Sequence, residues 1–291
     1  MQHIKQPPNR MSENTQSYQP YSNKPGECVV KGSKGGTYLG LRIESISFPL
    51  TISALQAGIC LCLMNGEEPK EILISDSKIG GIENWKSHFD LHIQIVEKVH
   101  LKHLIEEVVT DQQSLSLDLT RDSIFSPISH DEFELSHMIP KLEKAYKQRN
   151  QNLPIFTKKQ MDKVAAKLRQ LCSYSICEES NFPVSAMIWT EQGLVPGVNV
   201  EFKDWENGLC AERTALASAL RYSPKNIYGL FVHAEQGDLS TPCGACRQVL
   251  NEHMPYAKLY SLHKDGSWSE YSIHELLPHA FSSNVLSKTI E

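Results

Sequence analysis

Two cysteines three residues apart stand in Pro242-Cys-Gly-Ala-Cys246, where the sequence reads as the start of a helix. Both thiols then lie on one face of the first helical turn. A third cysteine, Cys210, opens another predicted helix that runs to Leu220. Thiolates at helix N-termini are favoured by the helix dipole and have depressed pKa values. Two such termini converging on one point make a sulfur site suited to Zn²⁺. Structural zinc sites are closed by four protein ligands, whereas catalytic ones leave a position for water. No fourth cysteine sits near these three, so the open kind is expected. Zinc brings the pKa of bound water to roughly 7, which makes hydroxide available near neutral pH. Glu212, two residues after Cys210, is placed to act there as general base and then as proton shuttle.

Other readings of these residues stay open at this level. A Cys-x-x-Cys pair can be a redox motif, although that motif usually belongs to a thioredoxin-like unit. A closed Cys₃His site could recruit His233. His233-Ala-Glu235 imitates a His-x-Glu zinc motif, but it ends a predicted strand rather than opening a helix, and is read as a decoy. The remaining five cysteines, Cys28, Cys60, Cys62, Cys172 and Cys177, are read as packing residues.

The elements that must hold these groups read as a layered α/β unit. Thr157 and Gln160 form a capping-box pattern, followed by Met161, Val164, Ala165, Leu168 and Leu171 at helical spacing. Strands are expected at Val184–Thr190, Leu194–Glu201, Ile227–Val232 and Lys258–Leu262. Upstream there is an internal repeat. Gly40-Leu-Arg-Ile-Glu44 echoes Gly197-Val-Asn-Val-Glu201, Pro25 echoes Pro183, and Ala54–Leu63 lines up with Ala211–Leu220. Pro69-Lys70 matches Pro224-Lys225. The alternative is chance likeness between two α/β segments. In this register Cys210 falls opposite Ser53 and Glu212 opposite Leu55, so the first copy cannot hold the metal. The expected division is a flexible N-terminus over 1–17, a degenerate non-catalytic unit over 18–117, a linker over 118–156 and a catalytic unit over 157–291. Within the linker, one helix is expected from Asp131 to Met138 and another after Pro140.

Composition narrows the class of function. The chain has 291 residues and a formal net charge of -5, which disfavours a nucleic-acid binder that must displace counterions from phosphates. No apolar run approaches the roughly 20 residues of a membrane span, and Met1 to Arg10 lacks the apolar core of a secretory signal. A cytoplasmic protein without membrane or nucleic-acid partners is expected.

Cys210-Ala-Glu-Arg-Thr-Ala215 together with Pro242-Cys-Gly-Ala-Cys-Arg-Gln248 resembles the signature of the cytidine deaminase family. The general pattern is shared by zinc nucleobase deaminases. The longer string ending in Arg247-Gln248 and the segment Gly197–Glu201 are similar to the free-nucleoside branch. The resemblance covers residues 157 to 281 well and residues 18 to 75 weakly. It implies a three-layer α/β/α domain with a mixed sheet, preceded by a degenerate second copy of the same fold. It implies one Zn²⁺ per chain on Cys210, Cys243 and Cys246. Glu212 would protonate the ring nitrogen, assist attack at C4 and pass a proton to departing ammonia. Asn199 and Glu201 would hold a sugar hydroxyl. The Ala211 N–H and the Thr241 carbonyl would meet the base. Phe182 would lie near the pyrimidine, and Phe281 would reach a neighbouring site; simple core packing is the competing reading of both rings.

Arg213 matches the arginine that three-cysteine sites of the family carry. Three thiolates on Zn²⁺ leave a net charge of −1, and a guanidinium donating to sulfur withdraws charge and restores acidity. A surface arginine is the alternative. The implied activity is hydrolysis of cytidine and deoxycytidine to uridine and deoxyuridine in pyrimidine salvage. A modified nucleoside is the next reading, and a nucleic-acid-directed deaminase a more distant one. Glu201 argues against a 5′-phosphate, since it adds negative charge near the sugar. In the two-domain branch the catalytic copy comes first and the first ligand is usually His. Here the catalytic copy comes second with a Cys. A homodimer of two-unit chains, imitating a tetramer, is expected.

Overall fold

The computed structural model describes residues 17–22, 24, 26–75, 82–114, 124–147, 155–237 and 240–281. Residues 1–16 of the expected flexible N-terminus, and 118–123 and 148–154 of the expected linker, lie outside these. The first unit contains β1 (Glu27–Gly32), β2 (Thr37–Leu41), α1 (Ala54–Met64), β3 (Pro69–Ile74), α2 (Ile82–His88), β4 (His92–Ile95) and α3 (Lys98–Ser114). After α4 (Ile139–Lys147), the second unit contains α5 (Lys158–Cys172), β5 (Val184–Thr190), β6 (Gly193–Val198), α6 (Ala211–Leu220), β7 (Ile227–Ala234), α7 (Gly244–His253), β8 (Lys258–Leu262) and β9 (Trp268–Ser272).

The two sheets share one topology. The first runs β2-β1-β3-β4 and the second β6-β5-β7-β8-β9. In each, the first two pairings are antiparallel and the third parallel. β9 adds an antiparallel edge to the second sheet. The likeness extends to irregular backbone. Tyr18 bridges Ile43 in parallel and Ile43 bridges Ile52 antiparallel, just as Ile176 bridges Val200 and Val200 bridges Leu209. The repeat read from Gly40–Glu44 and Gly197–Glu201 is therefore a repeat of fold.

Period-two alternation makes the second unit three-layered. Met187, Trp189, Phe231 and Tyr260 share one core with Val164, Leu168 and Leu171 of α5. Ala186, Ile188, Leu230, Val232 and Leu259 face the other core, with Ala211, Ala215 and Leu216 of α6 and Val249 and Leu250 of α7. The capping box starts α5: Gln160 N–H donates to Thr157 Oγ1 at 3.3 Å, and Thr157 N–H to Gln160 Oε1 at 2.8 Å.

Gly197 lets α6 lie directly on β6. A Cβ there would run into the backbone of Ala215, and at the equivalent Gly40 into the carbonyl of Ala54 and the amide of Gly58. Backbone cannot yield as a flexible side chain can. Gly197→Ala is expected to cost about 2–3 kcal/mol, read as a lowered urea midpoint.

The two units are not separate bodies. One continuous cluster of buried side chains includes Val30, Leu55, Ile59 and Ile72 from the first and Leu168, Trp189, Val198 and Phe231 from the second. Helices α1 and α6 pack on each other. Gln56 Nε2 donates to the Asn207 carbonyl at 3.0 Å, and the Glu252 carboxylate accepts from Tyr21 Oη at 2.5 Å and Ile46 N–H at 3.0 Å.

The described part of 118–156 is more than a tether. Phe125, Phe133, Leu135, Met138 and Leu142 are buried in the common core, and Ile128 pairs with Leu194 on the edge of β6. Instead of one helix from Asp131 to Met138, two 3₁₀ turns form, His130–Phe133 and Ser136–Met138. Glu134, with a left-handed φ of 59°, breaks the helical path between them.

Candidate active site

Cys210 and Cys243 are the N-caps of α6 and α7, both in extended backbone and both without a side-chain hydrogen bond to their own helix. An ordinary N-cap side chain accepts from the helix it starts. Ser53, the counterpart of Cys210, does this: its Oγ accepts from Gln56 N–H at 3.1 Å. The two cysteines leave that role unfilled and turn their sulfurs to a common point. With Cys246, one turn into α7 and buried, the three Sγ atoms lie within 4.8 Å of one another. The Cys210 and Cys243 sulfurs are 3.8 Å apart. A Zn–S bond of about 2.3 Å in tetrahedral geometry separates sulfurs by about 3.8 Å. The donor set and its spacing fit Zn²⁺.

Without a cation, three thiols in contact cannot all ionise. Contacts with the Cys210 and Cys246 thiols pull the Cys243 thiol down. Contact with Cys243 pushes the Cys210 thiol up, and contacts with Cys210 and Cys243 push Cys246 up.

Glu212 is the second residue of α6 and is buried. Burial pushes its carboxyl up to about 7. Ala211, the first helical residue, is buried, and its N–H is one of the helix's free donors. Arg213 follows. Its Nε is buried without a partner, and among the described residues it makes no hydrogen bond to the three sulfurs. His233 is not part of the sulfur cluster. It is buried in β7, with Nδ1 3.1 Å from the Leu262 carbonyl.

Asn199 and Glu201 follow β6 and touch each other. Asn199 Oδ1 accepts from Val184 N–H at 2.8 Å, and Nδ2 donates to the Phe182 carbonyl at 3.0 Å and to Glu201 Oε1 at 3.2 Å. Both amide hydrogens are thereby engaged. The pairing partner of Glu201, Ser180, was not singled out in the sequence; it lies 21 residues away in irregular chain, where no periodicity marks it.

Thr241 sits one residue before Pro242, and its Oγ1 accepts from Arg247 Nη2 at 3.4 Å. Arg247 also donates through Nε to the Pro242 carbonyl at 2.7 Å and through Nη1 to the Leu276 carbonyl at 3.3 Å. Gln248 Nε2 donates to the Phe281 carbonyl at 2.8 Å. The Arg-Gln pair of the signature thus fastens the loop that precedes Cys243 and the C-terminal segment to α7. Core packing does not explain the two phenylalanines: Phe182 is 39% and Phe281 45% exposed. Four of the five other cysteines are buried, and Cys177 is half-buried.

A family model described as "Cytidine and deoxycytidylate deaminase zinc-binding region" matches residues 158–261, and a second model of the same description matches residues 8–75. The cytidine deaminase of Mycoplasma genitalium is 37% identical over 107 residues, spanning 36% of this chain and 82% of that protein. The cytidine deaminase of Sporosarcina psychrophila is 33% identical over 136 residues, spanning 45% of this chain and 98% of that protein. A solved cytidine deaminase from Burkholderia pseudomallei, 33% identical, covers 39% of this chain and 93% of its own, with a TM-score of 0.37. With 98% of one such relative covered at 33% identity, and zinc-binding regions of the family matched at residues 158–261 and 8–75, this chain belongs to the cytidine deaminase family.

Proposed function

We propose that this protein hydrolyses cytidine and deoxycytidine to uridine and deoxyuridine plus ammonia, using one Zn²⁺ per chain on Cys210, Cys243 and Cys246. The observation that carries this reading is the conjunction of three sulfurs at zinc spacing with the buried Glu212 two residues after Cys210. When bound, Zn²⁺ supplies the Lewis acidity that makes water nucleophilic near neutral pH. Glu212 moves the protons. It removes one from the attacking water, delivers one to the ring nitrogen next to C4, and carries one to the amine that leaves as ammonia. A carboxyl raised to about 7 both accepts and donates near neutral pH. The Ala211 N–H and the Thr241 carbonyl orient the base, Phe182 covers the ring, and Glu201, braced by Asn199, holds the sugar.

No helix among the described residues is long and apolar enough to cross a membrane. A cytoplasmic role in pyrimidine salvage follows from the substrate. The exposure of Phe281 supports a homodimer in which a second chain covers this ring. The test is the fall in ultraviolet absorbance near about 280 nm when purified protein meets cytidine, alongside a zinc assay. Turnover with about one zinc per chain supports the proposal. Zinc without turnover moves the assignment to a modified nucleoside, and absence of zinc removes its basis.

Arg213 tunes this site. With Zn²⁺ on the three sulfurs, a guanidinium donating to a thiolate would withdraw charge. Arg213→Gln is expected to lower kcat about 10- to 100-fold and to move the acidic limb of the pH–rate profile upward. An unchanged kcat and profile would leave Arg213 as a packing residue.

A further inference from the structure

Glu44 and Glu201 occupy equivalent places in the two units, yet their acceptor positions are filled differently. A carboxylate offers about four lone-pair positions. At Glu44, Oε2 accepts from the N–H groups of Tyr21 at 3.0 Å and Ser22 at 3.1 Å, while Oε1 accepts from the Ser22 hydroxyl and from Arg42 Nε at 3.2 Å. Every position is taken, the charge is matched by Arg42, and the group is buried. At Glu201, Oε1 accepts from the Ser180 hydroxyl at 2.6 Å and from Asn199 Nδ2 at 3.2 Å. Oε2 accepts only from Ser180 N–H, at 3.0 Å. One position on Oε2 is left, on a half-buried carboxylate with no ion pair among the described residues. Asn199 cannot supply a donor there, because both its amide hydrogens are already used.

We infer that Ser180 is a positioning residue for substrate selection: it clamps Glu201 so that Oε2 alone accepts one sugar hydroxyl, whereas in the first unit Tyr21 N–H closes the equivalent position. Two features support the clamp. The Ser–Glu contact through both N–H and hydroxyl recurs in the first unit, which lacks the metal ligands, so it is built by the fold and not by the chemistry. The Ser180 hydroxyl also accepts from Phe182 N–H at 3.0 Å, joining the carboxylate to the segment that carries the exposed ring. Without the hydroxyl, Oε1 loses one of its two donors. The carboxylate can then turn and offer either oxygen, and recognition of a single hydroxyl is diluted.

The inference rests on the cytosine-nucleoside reading, and the experiment separates the two. The full-length zinc protein is assayed with cytidine and with analogues that each lack one sugar hydroxyl, for the parent and for Ser180→Ala, Ser180→Thr and Ser22→Ala. In the parent, removal of one particular hydroxyl raises KM about 10-fold or more, and removal of the others has little effect. Ser180→Ala raises KM for cytidine about 10-fold with kcat within about twofold, and loses most of the discrimination. Ser180→Thr restores both, and Ser22→Ala leaves KM unchanged. A parent that turns over cytidine but depends equally on two hydroxyls overturns the single-acceptor inference; this arm needs no variant to fold. So does a Ser180→Ala protein with unchanged KM and discrimination, or one whose kcat alone falls. If the parent deaminates no cytosine nucleoside, the underlying reading and this inference fall together.

Discussion

Glu212→Gln is expected to lower kcat for cytidine on the order of 10⁴-fold while the protein keeps about one zinc per chain. Single general acid–base roles contribute about 10²- to 10⁴-fold, and Glu212 is assigned more than one proton transfer, so the upper end applies. The amide keeps the volume of the carboxyl in a buried place at the head of α6. Burial already disfavours the charged form, so a neutral side chain is tolerated by the fold. Steady-state turnover and metal analysis on the same preparation decide it. Retained zinc with turnover within about 10-fold of the parent would move the proton chemistry elsewhere. Lost zinc would show that the carboxylate supports the metal instead.

Cys246→Ala gives the second large effect, of the opposite character. Here the metal goes first and turnover follows. Cys246 is buried, and its sulfur lies within 4.8 Å of the other two. Two thiolates at the mouths of α6 and α7 cannot alone complete the ligand set of a catalytic zinc site. Zinc content is expected to fall from about one per chain to near zero after dialysis, with turnover reduced at least on the order of 10³-fold. Chelation of the parent should reproduce the loss, and added Zn²⁺ should restore the parent but not the variant. A Cys246→Ala protein that holds zinc with parental affinity would exclude this sulfur as a ligand.

The site was legible wherever its chemistry is written over helix starts. Cys210 and Cys243 fall on N-caps, and Lys258–Leu262 and Val184–Thr190 are strands with the bounds read from the sequence. The repeat was legible through glycine and glutamate, because both positions are fixed by backbone: close approach at Gly40 and Gly197, N–H acceptance at Glu44 and Glu201. What the sequence withheld lies in contacts without periodicity. Ser180 meets Glu201 through irregular chain. Trp268–Ser272 is an edge strand with one buried residue, so its alternation is faint. The segment containing Phe125 and Leu142 looked like a tether because its apolar residues are spaced by turns, yet they enter the common core.

The continuous core shared by the two units sets how each can drift over generations. A silent copy joined by a loose tether would be free to decay. This one cannot, because Leu55 and Ile59 lie in the same packed cluster as Trp189 and Val198. Its freedom shows at the positions equivalent to Cys210, Glu212 and Asn199. There Ser53 is an ordinary helix cap, Leu55 an ordinary core residue, and Arg42 the internal counter-charge of Glu44. Gly40 keeps its place because the neighbouring backbone admits no Cβ. What the first unit keeps is a set of distances, held by the packing it shares with the second.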